Sequence, residues 1–169
     1  MSKLVRTRAF WCVILLGWMI VIFYMSSQPA NESSQLSGGI VSKLIAAFFH
    51  KFDSMSLQEQ ETISNAISFI VRKTAHFIEY FILGVLTTCV LTTFDKYKHK
   101  VKIVISILFC VLYAVSDEIH QLFVPGRACR IRDICIDSTG SIVAIILITI
   151  IIYKKTHKLG ERNAKKEIN

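Results

Sequence analysis

Four unbroken apolar runs, residues 9–25, 74–94, 101–121 and 134–153, constrain this chain more than anything else in it. A hydrocarbon core about 30 Å thick selects runs of roughly 20 apolar residues. In lipid only helices and closed barrels satisfy every backbone polar group. These runs are continuous rather than alternating, so helices are expected. The expected fold is all-α, an integral membrane bundle of four transmembrane helices. Of the 169 residues, 53% are hydrophobic and the mean hydropathy is +0.50, which leaves no room for a separate soluble domain. Residues 9–153 read as one membrane domain and residues 154–169 as a basic cytoplasmic tail.

The net charge of +8 is unevenly spread. With a cytoplasmic amino terminus, four spans bring the carboxyl terminus to the same side. The inner segments then hold Lys3, Arg6, Arg8, Lys96, Lys98, Lys100, Lys102, Lys154, Lys155, Lys158, Arg162, Lys165 and Lys166, against Asp95, Glu161 and Glu167. Such an excess follows the positive-inside rule, by which Lys and Arg near the helix ends set orientation. The lipid bilayer, anionic lipid included, is therefore the expected partner of these charges. Nucleic acid is not, because no basic patch is interleaved with a base-stacking module.

The first run has the basic start and apolar core of a signal peptide, but Met25-Ser26-Ser27-Gln28-Pro29 is a poor cleavage site, so a retained anchor is expected. Cys12, Cys89 and Cys110 lie within spans and read as packing residues. Cys129 and Cys135 fall near the outer face, where pairing depends on an oxidising compartment. The five cysteines have no zinc spacing, and no cofactor or metal is expected.

Between the first two spans, residues 26–73 form the first outer segment. Its polar, turn-rich start gives way to Val41, Leu44, Ile45, Phe48, Phe49 and Phe52 at helical spacing, and later to Ile63, Ile67, Ile70 and Val71. Both stretches read as amphipathic interfacial helices that lie on the membrane surface or cap the bundle. The short loop Asp95-Lys96-Tyr97-Lys98-His99-Lys100 makes spans two and three antiparallel neighbours.

Ionisable groups inside a membrane are expensive, and each asks for a reason. Arg72, His76 and Glu79 share one face at the start of span two, with Lys73 beside them. Tyr113, Asp117 and His120 share a face at the end of span three, followed by Gln121, with Glu118 next to Asp117. Asp133 and Asp137 open span four one turn apart. Helices rise about 1.5 Å per residue, and span three runs against its neighbours. Glu79, Asp117 and Asp137 therefore arrive at a similar depth beneath the outer face. The connecting loop holds Pro125-Gly126, a strong turn signal, and carries Arg127, Arg130 and Arg132 on the outer side, against the charge trend.

With Arg72 and Lys73 these arginines make five positive charges, facing five negative ones on Glu79, Asp117, Glu118, Asp133 and Asp137. Three readings fit. The cluster is a salt-bridge network that fixes helix packing. It is a binding site for an anionic lipid headgroup or cell-wall precursor, with Arg127 and its neighbours on the anion. Or it is catalytic, with His76 or His120 and an adjacent carboxylate as general base or metal ligands, in a membrane-embedded enzyme acting on a lipid-linked or cell-wall substrate.

The strings Arg72-Lys73-Thr74-Ala75-His76-Phe77-Ile78-Glu79-Tyr80 with Leu83-Gly84, Ser116-Asp117-Glu118-Ile119-His120-Gln121-Leu122-Phe123-Val124-Pro125-Gly126-Arg127, and Asp133-Ile134-Cys135-Ile136-Asp137-Ser138-Thr139-Gly140 resemble the VanZ-like family of bacterial membrane proteins. The first span followed by Ser26-Ser27-Gln28-Pro29 is similar to the family's opening. Where the family has a second Gly after Gly140, this chain has Ser141 and Ala144. The resemblance implies a small multispanning protein of the bacterial plasma membrane, some relatives of which are linked to low-level resistance to the glycopeptide teicoplanin.

Overall fold

A computed structural model describes the backbone of residues 3–168 and the side chains of residues 7–29 and 38–154. Among the described residues every regular element is helical: α1 (Lys3–Ser26), α2 (Ala30–Phe48), a short 3₁₀ turn (Phe52–Ser54), α3 (Leu57–Thr92), α4 (His99–Gln121) and α5 (Ile131–Ile168). The stretches Thr7–Ser26, Leu57–Thr92, His99–Gln121 and Ile131–Lys154 are long and apolar enough to cross a membrane, with mean hydropathies of 2.2, 1.6, 1.8 and 2.3 in their most apolar windows. Val13, Ile20, Val104, Leu112 and Ile151 stand on the outside of the bundle. A soluble protein rarely leaves so much contiguous apolar surface uncovered; lipid covers it here. The side chains of Lys3, Arg6 and the basic tail beyond Lys154 lie outside the described residues.

One expectation needs correcting. Ile63, Ile67, Ile70 and Val71 do not form a separate surface helix, because α3 runs without a break from Leu57 to Thr92. The helix starts where the sequence provides a capping box. Ser56 Oγ accepts from the Glu59 N–H at 3.4 Å, and the Glu59 carboxylate accepts from the Ser56 N–H at 2.9 Å. Nothing between Ser56 and Thr93 breaks the helix, since the stretch has no proline and its one glycine, Gly84, is tolerated. At 36 residues, α3 is about 54 Å long, far more than the ~30 Å hydrocarbon core. Its first turns therefore stand beyond the membrane. The other amphipathic stretch is a helix of its own, α2, which packs against α3.

Neighbouring spans alternate in direction. At one end, Ser26 of α1 meets Asp117 of α4. At the other, Arg8 of α1 clamps the end of α3, donating from Nη2 to the Thr93 carbonyl at 2.7 Å and from Nε to Thr93 Oγ1 at 3.3 Å. Its guanidinium also sits 4.0 Å over the Phe94 ring. Arg8 so satisfies one orphan carbonyl at a helix C-terminus with a positive charge.

The α3–α5 contact is the closest in the bundle. A Cβ on Gly84 would come within 2.5 Å of the Ser141 carbonyl oxygen, and one on Gly140 would collide with the Phe77 carbonyl. Small residues let membrane helices approach backbone to backbone. Ser141 and Ala144, standing where a second glycine was expected, are both fully buried in this contact. Ser141 turns its hydroxyl back onto the Ser138 carbonyl at 2.9 Å and so behaves as a small apolar residue. Tyr80, Leu83, Cys110, Ala114 and Ile145 fill the rest of the core with Ile22 of α1.

Candidate functional site

The α4–α5 connection is built by a proline–glycine turn. Pro125 and Gly126 occupy its two centre positions, Gly126 has φ of 74°, and the Arg127 N–H closes the turn on the Val124 carbonyl at 3.1 Å. Only glycine takes that φ without strain. The turn delivers Arg127 to α1, where its Nε donates to the Gln28 carbonyl at 3.2 Å. Burial and the nearby Arg72 press the Arg127 pKa downward, while Asp117, Glu118 and Glu79 pull it back up. An arginine in such surroundings remains a cation.

The start of α5 is fixed from below. The buried Glu118 accepts from the Arg130 N–H at 2.9 Å. One turn on, Asp133 Oδ2 pairs with Lys73 Nζ of α3 at 2.6 Å, with Arg132 Nε 3.9 Å from its other oxygen. Arg132 also lies 4.8 Å over the Phe69 ring. Between these groups is a cavity of about 120 Å³, walled by Arg72 and Lys73 of α3, Gln121 of α4, Arg127 and Arg130 of the loop, and Asp133 of α5, with Phe69 at its edge. Four cations and one carboxylate from three separate elements thus meet around one small space.

Outside the cavity's lining, three carboxylates are buried among the helices. Asp117, Glu118 and Asp137 are 4%, 1% and 1% exposed. Asp117 is the carboxylate whose charge is felt most by both Glu79 and Asp137, so the three helices do bring these acids together. Their partners differ. Asp117 Oδ2 accepts from Ser26 Oγ at 2.7 Å and from Gln121 Nε2 at 3.4 Å. Asp137 keeps one buried oxygen, Oδ1, without a hydrogen bond. His76 Nδ1 stands 3.5 Å from Glu79 Oε2, an electrostatic contact too long and poorly aimed to be a good hydrogen bond.

The stripe Tyr113-Asp117-His120 does something different from the rest. All three side chains face α1. Tyr113 donates to the Met19 carbonyl at 2.7 Å, Asp117 holds Ser26, and His120 stacks on Phe23 with its Nε2 3.1 Å from Ser27 Oγ. His120 is therefore spent on helix packing and stands apart from the cavity. Of the residues singled out in the sequence, Arg72, Lys73, Gln121, Arg127 and Asp133 line the cavity. His76 and Glu79 lie further along α3, and Asp117, Glu118 and Asp137 are buried among the helices; none of these five lines the cavity.

Sequence reasoning passed over the contribution of α1. Ser26, Ser27 and Gln28 were legible only as a turn, yet they hold Asp117, His120 and Arg127. Trp18 adds a donor bond of 2.9 Å to the Glu79 carbonyl. The available signal was the clustering of three polar residues at the end of a span already expected to reach the same face. Among the described residues, no group of three or more His, Cys, Asp or Glu is arranged to hold a metal ion. Cys129 of the α4–α5 connection and Cys135 in the first turns of α5 are free and exposed.

No curated protein and no solved structure is significantly similar to this chain. A family model described as VanZ/LLP1 matches residues 11–152, which takes in the second and third spans, most of the first and fourth, the cavity residues and the buried carboxylates. With that match over most of its length, the chain belongs to the VanZ/LLP1 family.

Proposed function

We propose that the cation-walled cavity binds the anionic group of a cell-envelope lipid or wall precursor, and that the protein thereby lowers susceptibility to glycopeptides such as teicoplanin. The observation that carries the reading is the meeting of Arg72, Lys73, Arg127 and Arg130 around one space, with only Asp133 among them in opposition. Guanidinium forks match phosphate and carboxylate oxygens bidentately. The basic residues at the opposite end of the bundle put that end in the cytoplasm under the positive-inside rule. Both termini are then cytoplasmic, the membrane is the bacterial plasma membrane, and the cavity faces outward, where glycopeptides meet their targets.

Teicoplanin susceptibility of a Gram-positive host tests the reading. Expression of the chain should reduce susceptibility without degradation of the drug. Arg127→Lys keeps the charge but loses the fork and the Gln28 tether, and should remove most of the protection at equal membrane abundance. Full protection by Arg127→Lys would rule out a bidentate role. An unchanged susceptibility on expressing the wild type would remove the resistance assignment.

The proximity of His76 to Glu79 favours one second reading, an enzyme that modifies a lipid-linked or wall substrate by acid–base chemistry. It is separated from the first by mass spectrometry of envelope lipids and wall precursors. An enzyme changes their composition; a binding protein leaves it as it was.

A further inference from the structure

The depth of the cavity bears on where its ligand comes from, given the anion-binding reading and the outward orientation above, on which this inference rests. About 20 helical residues at ~1.5 Å each cross a hydrocarbon core ~30 Å thick. The cytoplasmic boundary is marked on every span. Arg8 meets Thr93 there on α1 and α3, Lys102 is the last charged residue before the apolar stretch of α4, and Lys154 the first after that of α5. About 20 residues from these marks, the outer boundary falls near Gln28, Lys73, Leu122 and Ile134. Two contacts join these outer ends at one level. Arg127 donates to the Gln28 carbonyl at 3.2 Å, and Lys73 pairs with Asp133 at 2.6 Å. Lys73 is itself a boundary residue, and Arg72, Gln121 and Asp133 each adjoin one; all four line the cavity. The cavity is therefore level with the lipid headgroups, while the first turns of α3 stand above it.

The apolar surface of α4 does not stop at that boundary. Val104, Leu108, Leu112 and Ile119 face outward along the span, and Leu122 and Phe123 prolong the same surface past the helix end at 58% and 81% exposure. Ile131, at 79%, does the same at the start of α5. Side chains of this size are covered by a leaflet and left bare by water. Arg127 and Arg130 lie between them in the chain and line the cavity. Guanidinium groups at headgroup level meet the phosphate or carboxylate oxygens of lipids. That accounts for arginines on the outer side, against the charge trend of the chain. We propose that the α4–α5 connection is seated in the outer leaflet, and that the cavity takes its oxyanion sideways from a lipid of that leaflet and not from solution.

The full chain in phosphatidylcholine nanodiscs tests both halves of the proposal. Phe123→Trp adds an indole to the native pair, Trp11 and Trp18. Its added fluorescence should be quenched by phosphatidylcholine brominated near the carbonyl end of its chains. Quenching by aqueous iodide in place of the brominated lipid would overturn the seating. The source of the anion is read from the melting temperature, which rises with any species bound only by the folded state. Phosphatidylglycerol in the disc should raise it. Arg130→Gln keeps the backbone bond to Glu118 and should lose most of that rise. Glycerophosphoglycerol, the same headgroup without its chains, should give no rise when added to the solution. An equal rise from the chainless headgroup would overturn entry from the leaflet and leave the anion site standing. No rise from either, or a phosphatidylglycerol rise that Arg130→Gln keeps in full, would overturn both.

Discussion

Asp137 is the residue whose surroundings demand most of the fold. It is buried, one of its oxygens has no partner, and Asp117, Glu118 and Asp133 press on it while Lys73 attracts it. An unsatisfied buried polar group destabilises by about 1–3 kcal/mol. If Asp137 serves the site, Asp137→Asn removes the repulsion and supplies donors to the neighbouring carboxylates. Melting temperature should then hold or rise while teicoplanin protection falls. A variant that melts earlier and loses membrane abundance would mark Asp137 as part of the packing instead. At the loop, Gly126→Val forces a β-branched side chain into φ of 74°. This left-handed conformation costs roughly 1–2 kcal/mol for an ordinary residue. The turn should relax by displacing Arg127, so anionic-lipid binding should fall by more than stability does, as measured by lipid titration alongside thermal melting.

At the scale of elements, the α3–α5 contact fixes the geometry of the cavity, since Lys73 and Asp133 sit on these two helices. Gly84→Leu and Gly140→Val push them apart, and overpacking of this kind destabilises by about 1–3 kcal/mol. Loss of folded protein in detergent should exceed that for Gly17→Leu on α1, where a Cβ meets nothing within 4 Å. A Gly84→Leu protein as stable as Gly17→Leu would contradict the close approach. Much of this was legible beforehand. Apolar run length gave the four spans, and the proline–glycine pair gave the turn at Gly126. The i, i+4, i+7 spacing on antiparallel helices brought Glu79, Asp117 and Asp137 to one layer. What stayed hidden depended on which face each helix turns to its neighbours. Tyr113, Asp117 and His120 look like one functional stripe, yet that face packs on α1. Ser26, Ser27 and Gln28 look like a turn, yet they are the partners of that stripe and of Arg127. The merging of Ile63 to Val71 into α3 was missed because polarity ends a membrane span without ending a helix.

For the whole molecule, the two ends of the bundle differ in kind. One end is basic and closed by the Arg8 clamp. The other carries the cavity. Placing the cavity end outside makes Cys129, free and exposed on the α4–α5 connection, accessible to a membrane-impermeant thiol reagent in intact cells. Desolvation, with Glu118 and Asp133 adding to it, raises the Cys129 pKa. The thiolate is the reactive form, so labelling should quicken as pH rises from neutral toward the thiol pKa. Labelling of Cys129 only after the cells are broken would reverse the topology and the outward site with it. The central claim, that three arginines and Lys73 wall a lipid-anion site, is tested most directly by native mass spectrometry of the chain gently extracted from membranes. The wild type should carry an anionic envelope lipid or precursor through purification, and Arg127→Lys should lose it while remaining folded. An Arg127→Lys protein retaining the same lipid, or a wild type retaining none, would contradict the account.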